Sequence, residues 1–400
     1  MFPNNSVQNK AFTGTGYIAV PSKKAAEANL KSRNQSSVAA ISALSKHIPS
    51  VVTTASIAQK PAPKIDPNTP SYSNIPWRKD KDPISFEKSY EKMMKNSLKA
   101  IVEHQKKEEV PGSYITVEEL GKQIEELESG KAPSLKITYE HHDDIGDRSD
   151  MQDTHFYVEK DTSMLLGVFD GHGGGKVSDF ARDYFRANFY KVLNICGNVH
   201  LTFEYLFHKI QQEIEKNENI RENGSTAVIC FVDKINNLVY TATLADSEAN
   251  LYREIGGQTK SIPLSCVRDW GCKKEVARAI KSGNPTAINE WPKIKDPKER
   301  YYNGLNLSRT LGDTSSRGPI NRPGIIGKPK MTVGKFKEDD VLILACDGLK
   351  DFVKEETIIK EVAANKSKKD VNLAKHLVEI AVKHGDDNCT VLAVKFTKRI

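Results

Sequence analysis

The chain has 400 residues, 38% of them hydrophobic and 8% aromatic, with 59 Lys and Arg against 52 Asp and Glu. That length allows two or three domains, or one large domain with extensions. Residues 1–82 hold 11 basic and 4 acidic side chains, leaving residues 83–400 balanced at 48 of each, which argues against a basic nucleic-acid-binding body because a phosphate footprint needs clustered cations on the folded surface.

No run of about 18 apolar residues is present, so no transmembrane helix is expected. The segment Met1 to Lys10 is polar and lacks the apolar centre of a secretory signal. Six cysteines, at 196, 230, 266, 272, 346 and 389, show neither disulfide-scaffold density nor paired C-x2-C zinc spacing. A reducing compartment is therefore expected, cytosol or nucleus. The basic, Ser-rich start has the texture of an organelle presequence, but only Arg33 and Arg78 supply the Arg that presequences favour.

In chain order, residues 1–82 read as a basic, disordered tail and linker. The prolines at 61, 63, 67, 70 and 76 suit extended chain better than packed structure. Residues 83–134 read as a helical extension. Phe86, Tyr90, Met93, Met94, Leu98, Ile101 and Val102 recur at helical spacing behind Ser85, and Thr116-Val-Glu-Glu119 is a capping box that opens a second helix. The pair is expected to brace the next domain and could also receive a protein partner.

From residue 135 to the end the texture changes. Short apolar or alternating runs at 136–139, 154–158, 164–169, 227–232, 238–244, 250–253, 341–346 and 390–396 predict strands. Helical patterns fall at 175–193, 200–217, 273–281 and 371–384. Asn236-Asn237 between two strands is a hairpin signal. Antiparallel groups of strands separated by helices predict an α+β layered domain.

The strands end in acids. Leu165-Leu-Gly-Val-Phe-Asp170-Gly171-His172-Gly-Gly places a carboxylate, and then a histidine among glycines, at the end of an apolar run. A second strand ends in Asp347-Gly-Leu-Lys-Asp351. Asp386-Asp387-Asn388 leads into a third, and Asp147-Arg148-Ser-Asp150-Met-Gln152-Asp153 enters a fourth. Each alone is commonly a solvated turn; four together point to a shared site. Carboxylates with little His and no Cys suit hard, oxygen-loving cations such as Mg²⁺ or Mn²⁺. Two such ions can activate water and clamp a phosphoryl group, an Arg can grip phosphate oxygens, and a His can protonate a leaving oxygen.

Asp170-Gly-His-Gly-Gly, Gly224-Ser-Thr-Ala227, Asn303-Gly-Leu-Asn-Leu-Ser-Arg309-Thr-Leu-Gly-Asp313, Asp347-Gly-Leu-Lys-Asp351 and Asp387-Asn388 follow one another as they do in the metal-dependent type 2C protein Ser/Thr phosphatases, the PPM family. The chain resembles that family over about residues 136–398. The resemblance implies a central antiparallel β-sandwich flanked by α-helices in four layers, with a two-ion Mg²⁺ or Mn²⁺ site at one edge. By position, Asp170 would bridge both ions, Gly171 would offer its carbonyl, and Asp347 and Asp387 would complete the first shell. Asp153 would stand behind them and Asp246 would hold a weaker third ion. Arg148 would grip the substrate phosphate and His172 would act as general acid on phosphoserine or phosphothreonine in protein substrates.

Three positions depart from the family pattern. Gln152 stands where many members have Glu, Ala245-Asp246-Ser247-Glu248 replaces Gly-Asp-Ser-Arg, and Lys350 replaces an aromatic residue. These keep alive a second reading, a catalytically weak, phosphatase-shaped regulatory protein. Segment 254–300 differs most from the family outline and is expected to shape substrate access. Cys272-x5-Arg278 has the outline of a cysteine phosphatase loop, but Lys-Lys-Glu-Val-Ala is a helix-forming run without the glycines such a loop needs. His141-His142-Asp143-Asp144 reads as a solvated loop, and Cys346 and Cys389 read as inert core.

Overall fold

Among the described residues, thirteen strands are arranged by antiparallel pairing into two five-stranded sheets and one small three-stranded sheet. The computed structural model describes residues 135–398, apart from 283–290, 292–293, 296–298, 319–322 and 369, together with seven residues between 92 and 103. All of these fall within one compact unit, residues 70–400. The tail at 1–82, the capping box at 116–119 and the helix it would open lie outside the described residues.

The first sheet has the order β1-β13-β12-β8-β9, formed by β1 (Leu135–Asp144), β8 (Glu248–Ile255), β9 (Gln258–Pro263), β12 (Val341–Ala345) and β13 (Cys389–Lys398). The second has the order β11-β7-β6-β3-β2, formed by β2 (Thr154–Glu159), β3 (Ser163–Phe169), β6 (Ala227–Asp233), β7 (Leu238–Leu244) and β11 (Lys330–Lys335). Alternation along each strand explains why the sheets stack. On β3, Met164, Leu166 and Val168 face the other sheet and meet Leu342, Leu344, Leu392, Val394 and Phe396. Its alternate residues Leu165 and Phe169 face outward and are covered by helices α1 (Lys176–Cys196) and α2 (Val199–Lys216). A strand covered on both sides reads as a continuous apolar run, and β3 is buried at every position. The first sheet's outer face, through Val341, Ile343, Val391 and Ala393, packs on α5 (Glu355–Asn365) and α6 (Leu373–Ala381). The result is the helix–sheet–sheet–helix order expected from the sequence.

Local chemistry sets the element ends. Asn198 caps α2 by accepting the Leu201 N–H at 3.1 Å, and Asn372 caps α6 by accepting the Lys375 N–H at 3.0 Å. The β6–β7 hairpin turns at Asn236-Asn237, with Asn237 at φ 56° and the Asp233 carboxylate accepting the Ile235 and Asn236 N–H groups. The segment after β9 folds around a satellite core of Trp270, Ala279, Trp291, Tyr302 and Ile325, which includes α3 (Lys273–Lys281). There Glu275 is buried; burial pushes its carboxyl up, but the Arg309 and Arg278 guanidiniums more than offset this and hold it below the usual range. Arg278 is thus a structural residue, and the Cys272-x5-Arg278 outline is a helix, as the sequence argued.

The described part of the extension is helical and packs on the domain. Ser97 is buried and its hydroxyl accepts the Val199 N–H at 2.7 Å, one of the donors that a helix start leaves open. Ile101 is fully buried in the cluster formed by α1, α2 and the second sheet. Ile101→Ala is expected to destabilise the domain by about 2–5 kcal/mol, read as a lowered urea midpoint with an unchanged slope; no shift in midpoint would mean that the segment does not share the core.

Candidate active site

Register brings the acids to one rim. The first residue of β2 pairs with the last of β3 (Thr154 with Phe169), so Asp153 and Asp170 are neighbours. Ala345 of β12 pairs with both Val391 of β13 and Glu248 of β8, which gathers Asp347, Asp387 and Asp246 at the same end of the other sheet. The chain passes from β7 in one sheet to β8 in the other through Ala245-Asp246-Ser247, so Asp246 stands between the two sheets. All five acids singled out in the sequence therefore share the rim where the sandwich opens.

Their electrostatics confirm the crowding. Burial first, and then the charges of Asp153, Asp347 and Asp246, push the Asp170 carboxyl well above the ordinary range, and it shares a hydrogen bond with Asp347. Asp153 is pushed up to about 7 by burial, with Asp347 and Asp387 adding to the effect and Cys346 and Thr390 opposing it. Its Oδ2 is buried and, among the described residues, has no hydrogen-bond partner. A buried carboxylate oxygen without a partner, among like charges, is costly unless a proton or a cation joins it. Among the described residues, no three His, Cys, Asp or Glu side chains already close around one ion. The donors present are all oxygens: the carboxylates and the Gly171 carbonyl. That set fits a hard divalent cation that keeps part of its water shell.

The surrounding hydrogen bonds fix these acids. The Asp170 N–H donates to Thr226 Oγ1 at 3.1 Å, its carbonyl accepts the Thr226 N–H at 2.8 Å, and Thr226 Oγ1 lies 2.6 Å from Ser247 Oγ. Asn388 ties the entry of β2 to that of β13: its Oδ1 accepts the Gln152 N–H and its Nδ2 donates to the Ile145 carbonyl, both at 2.8 Å. Gly171 is required where it stands, since a Cβ there would lie 2.5 Å from the Gln152 carbonyl oxygen that its own N–H reaches. Arg148 is exposed and pairs with Asp387 Oδ2 at 3.0 Å, an interaction of small energy that nonetheless sets the guanidinium at the rim. His172, on β4 (Gly171–His172), faces Asp313 instead, Nε2 to Oδ2 at 2.8 Å.

The departures also acquire physical explanations. Gln152 Oε1 accepts the Gly174 N–H at 3.2 Å, so this neutral oxygen serves the glycine loop. Ala245 occupies the left-handed region at φ 71°, where glycine is unstrained and alanine is not. Glu248 and Lys350 meet each other, Oε2 to Nζ at 3.4 Å, and Lys350 also pairs with Glu355. Two of the unusual residues thus complement one another across the start of β8 and the short helix α4 (Asp347–Lys350). Asp313, Thr226 and Ser247 are rim residues to which the sequence reading gave no role; Asp313 and Thr226 lie inside motifs that were recognised, whereas their contacts are set by tertiary pairing.

The chain belongs to the protein phosphatase 2C family, whose model matches residues 140–390. It is similar to "Probable protein phosphatase 2C 52" of Oryza sativa subsp. japonica, 27% identical over 262 residues that cover 63% of this chain and 49% of that one. It is also similar to the human integrin-linked kinase-associated serine/threonine phosphatase 2C, 27% identical over 242 residues, 53% of this chain and 57% of the relative. The chain thus spans about half the length of these two relatives. Among solved structures, a phosphatase from a pathogenic strain of Toxoplasma gondii superposes with a TM-score of 0.54 at 17% identity, covering 67% of this chain and 95% of the other. The serine-threonine phosphatase 2C of the same organism gives 0.52 at 19% identity, covering 67% and 96%. These likenesses establish the layered fold and with it the four-layer expectation.

The raised Asp153 carboxyl carries a sign. The folded chain keeps a proton that the unfolded chain releases near 3.8, so the group's stabilising contribution is full below that value and is lost as pH rises towards about 7. The metal-free protein is expected to lose stability across this window, and Asp153→Asn, which cannot ionise, is expected to flatten the slope. Parallel melting curves for wild type and variant from acid to neutral pH would contradict the assignment.

Proposed function

We infer that the chain is a Mg²⁺- or Mn²⁺-dependent phosphoprotein phosphatase that hydrolyses phosphoserine and phosphothreonine. The observation that carries this reading is the convergence of Asp153, Asp170, Asp246, Asp347 and Asp387 on one rim, where they raise one another's affinity for positive charge. Asp170, Asp347, Asp387 and the Gly171 carbonyl would hold a pair of cations, with Asp153 behind them and Asp246 beside a weaker third. When bound, such cations supply charge neutralisation for the phosphoryl group and acidify water.

The chain's own residues do the rest. Arg148, exposed beside Asp387, offers a planar fork to two phosphate oxygens and orients the phosphoryl group. The apolar layers beneath the rim keep the carboxylates from relaxing apart, because β3, β12 and β13 are locked by the inter-sheet core. His172, one strand step from Asp170, delivers a proton to the serine or threonine oxygen as the P–O bond breaks. Family membership and the intact acid set both favour an active enzyme over a weak, phosphatase-shaped binder.

The test is phosphate release from a phosphoserine peptide with Mn²⁺. Asp170→Asn and Asp347→Asn are each expected to lower kcat/KM by at least about a hundredfold, the scale on which a missing charge-stabilising group acts. Full activity in both would overturn the assignment.

A further inference from the structure

We propose that Asp313 is a positioning residue for proton delivery: it holds His172 through Nε2, so that Nδ1 is the atom that protonates the leaving oxygen. The proposal rests on the reading of His172 as proton donor and adds to it the residue through which the imidazole is aimed.

The geometry is over-determined. The three short strands β4, β5 (Gly224–Ser225) and β10 (Leu311–Gly312) form a separate sheet in the order β10-β5-β4. His172 and Gly312 both pair with Gly224, one from each side, so the side chain of His172 and the residue after Gly312 meet above it. Gly224 leaves the room they need: a Cβ there would lie 2.0 Å from both His172 Nε2 and Asp313 Oδ2. Asp313 is itself clamped. Its backbone stands at φ 48°, its N–H donates to the Asn223 carbonyl at 3.0 Å and its carbonyl accepts the Ser316 N–H at 3.0 Å. The preceding Gly312 is held from behind, its carbonyl accepting Arg317 Nε at 2.7 Å and its N–H donating to Gln211 Oε1 at 3.0 Å. Arg317 is buried and is satisfied by the carbonyls of Gly312 and Thr310 and by Gln211, which makes it a structural clamp.

Exposure gives the pair a direction. The Asp313 side chain is 7% accessible and that of His172 28%, so the carboxylate lies on the protein side and the ring on the open side. An ionised carboxylate only accepts, so Nε2 carries a proton towards it and Nδ1 is the ring nitrogen left for substrate. A buried carboxylate that orients an imidazole is a recurrent device in proton-transfer catalysis. The step balances. The electron pair of the P–O bond goes to the side-chain oxygen, which takes the Nδ1 proton. Water adds to phosphorus, and the proton shed by the product phosphate returns the neutral ring to the imidazolium that began the step.

The discriminating variable is the leaving group, since an alkyl oxygen needs a proton and p-nitrophenolate does not. With the full chain at saturating Mn²⁺, Asp313→Ala is expected to lower kcat about 10–100-fold on a phosphoserine peptide and at least tenfold less on p-nitrophenyl phosphate. KM and calorimetric Mn²⁺ affinity should stay close to wild type. Asp313→Asn, whose Oδ1 still accepts from Nε2, is expected to recover part of the loss and serves if the alanine variant folds poorly. An equal fall on both substrates in the Asp313 variants would show a structural role only and overturn the proposal. His172→Ala separates the two levels: if it shows the leaving-group dependence and the Asp313 variants do not, only the positioning role fails. If His172→Ala slows both substrates equally, the proton-donor reading fails and the proposal with it.

Discussion

Like charges forced together at the open end of a rigid sandwich are the constraint on which the structure turns. Carboxylates avoid one another in water, and a flexible loop would let them separate. Here Asp170 follows β3, Asp347 follows β12 and Asp387 precedes β13, and those strands are pinned by Met164, Leu166, Leu342, Leu344, Leu392 and Val394 between the sheets. The energy stored in the cluster is supplied by apolar packing elsewhere, as it is in many sites that bind cations or perform acid–base work. Burial makes the repulsion expensive and makes the compensating charge valuable.

Around that cluster the chain places neutral fasteners. Thr226, Ser247 and Asn388 hold the backbone beside the acids through hydrogen bonds that carry no net charge. Cations are kept at the margin: Arg148 lies at the exposed rim, and Lys350 is engaged by Glu248 and Glu355. His172 is turned to Asp313. On the proposed function, this division would leave the acids to hold cations, the arginine to hold phosphate and the histidine to move a proton.

Much of this was legible in the sequence, for reasons that differ by element. β3, β6, β7, β12 and β13 are long apolar runs whose ends are marked by Asp, Asn or Gly, so both their existence and their acidic tips could be read. The helices α1, α2, α3 and α6 carry clear helical periodicity, and Asn372 moved the start of α6 two residues later than the pattern suggested. Other elements left weak traces. β9 is a polar edge strand (Gln-Thr-Lys-Ser-Ile-Pro), β11 begins and ends in Lys with a glycine inside, and α5 shows too few apolar positions to set a period. β4, β5 and β10 have two residues each, too few for any periodicity, and they create the His172–Asp313 contact. The residues 141 separated positions apart became partners only through tertiary pairing. Likewise, Glu248 and Lys350 look like isolated anomalies along the chain and a complementary pair in space.

The most direct measurement is isothermal titration of Mn²⁺ into the full chain at neutral pH, in two buffers of different ionisation enthalpy. A rim of mutually repelling carboxylates built for cations predicts saturable uptake of about two ions per chain, accompanied by proton release as Asp153, pushed up to about 7, gives up the proton it shares with solvent in the metal-free state. The same titration of Asp170→Asn should lose the tight phase. Heats no larger than dilution, or uptake that is indifferent to Asp170, would contradict the claim that this cluster is a metal site.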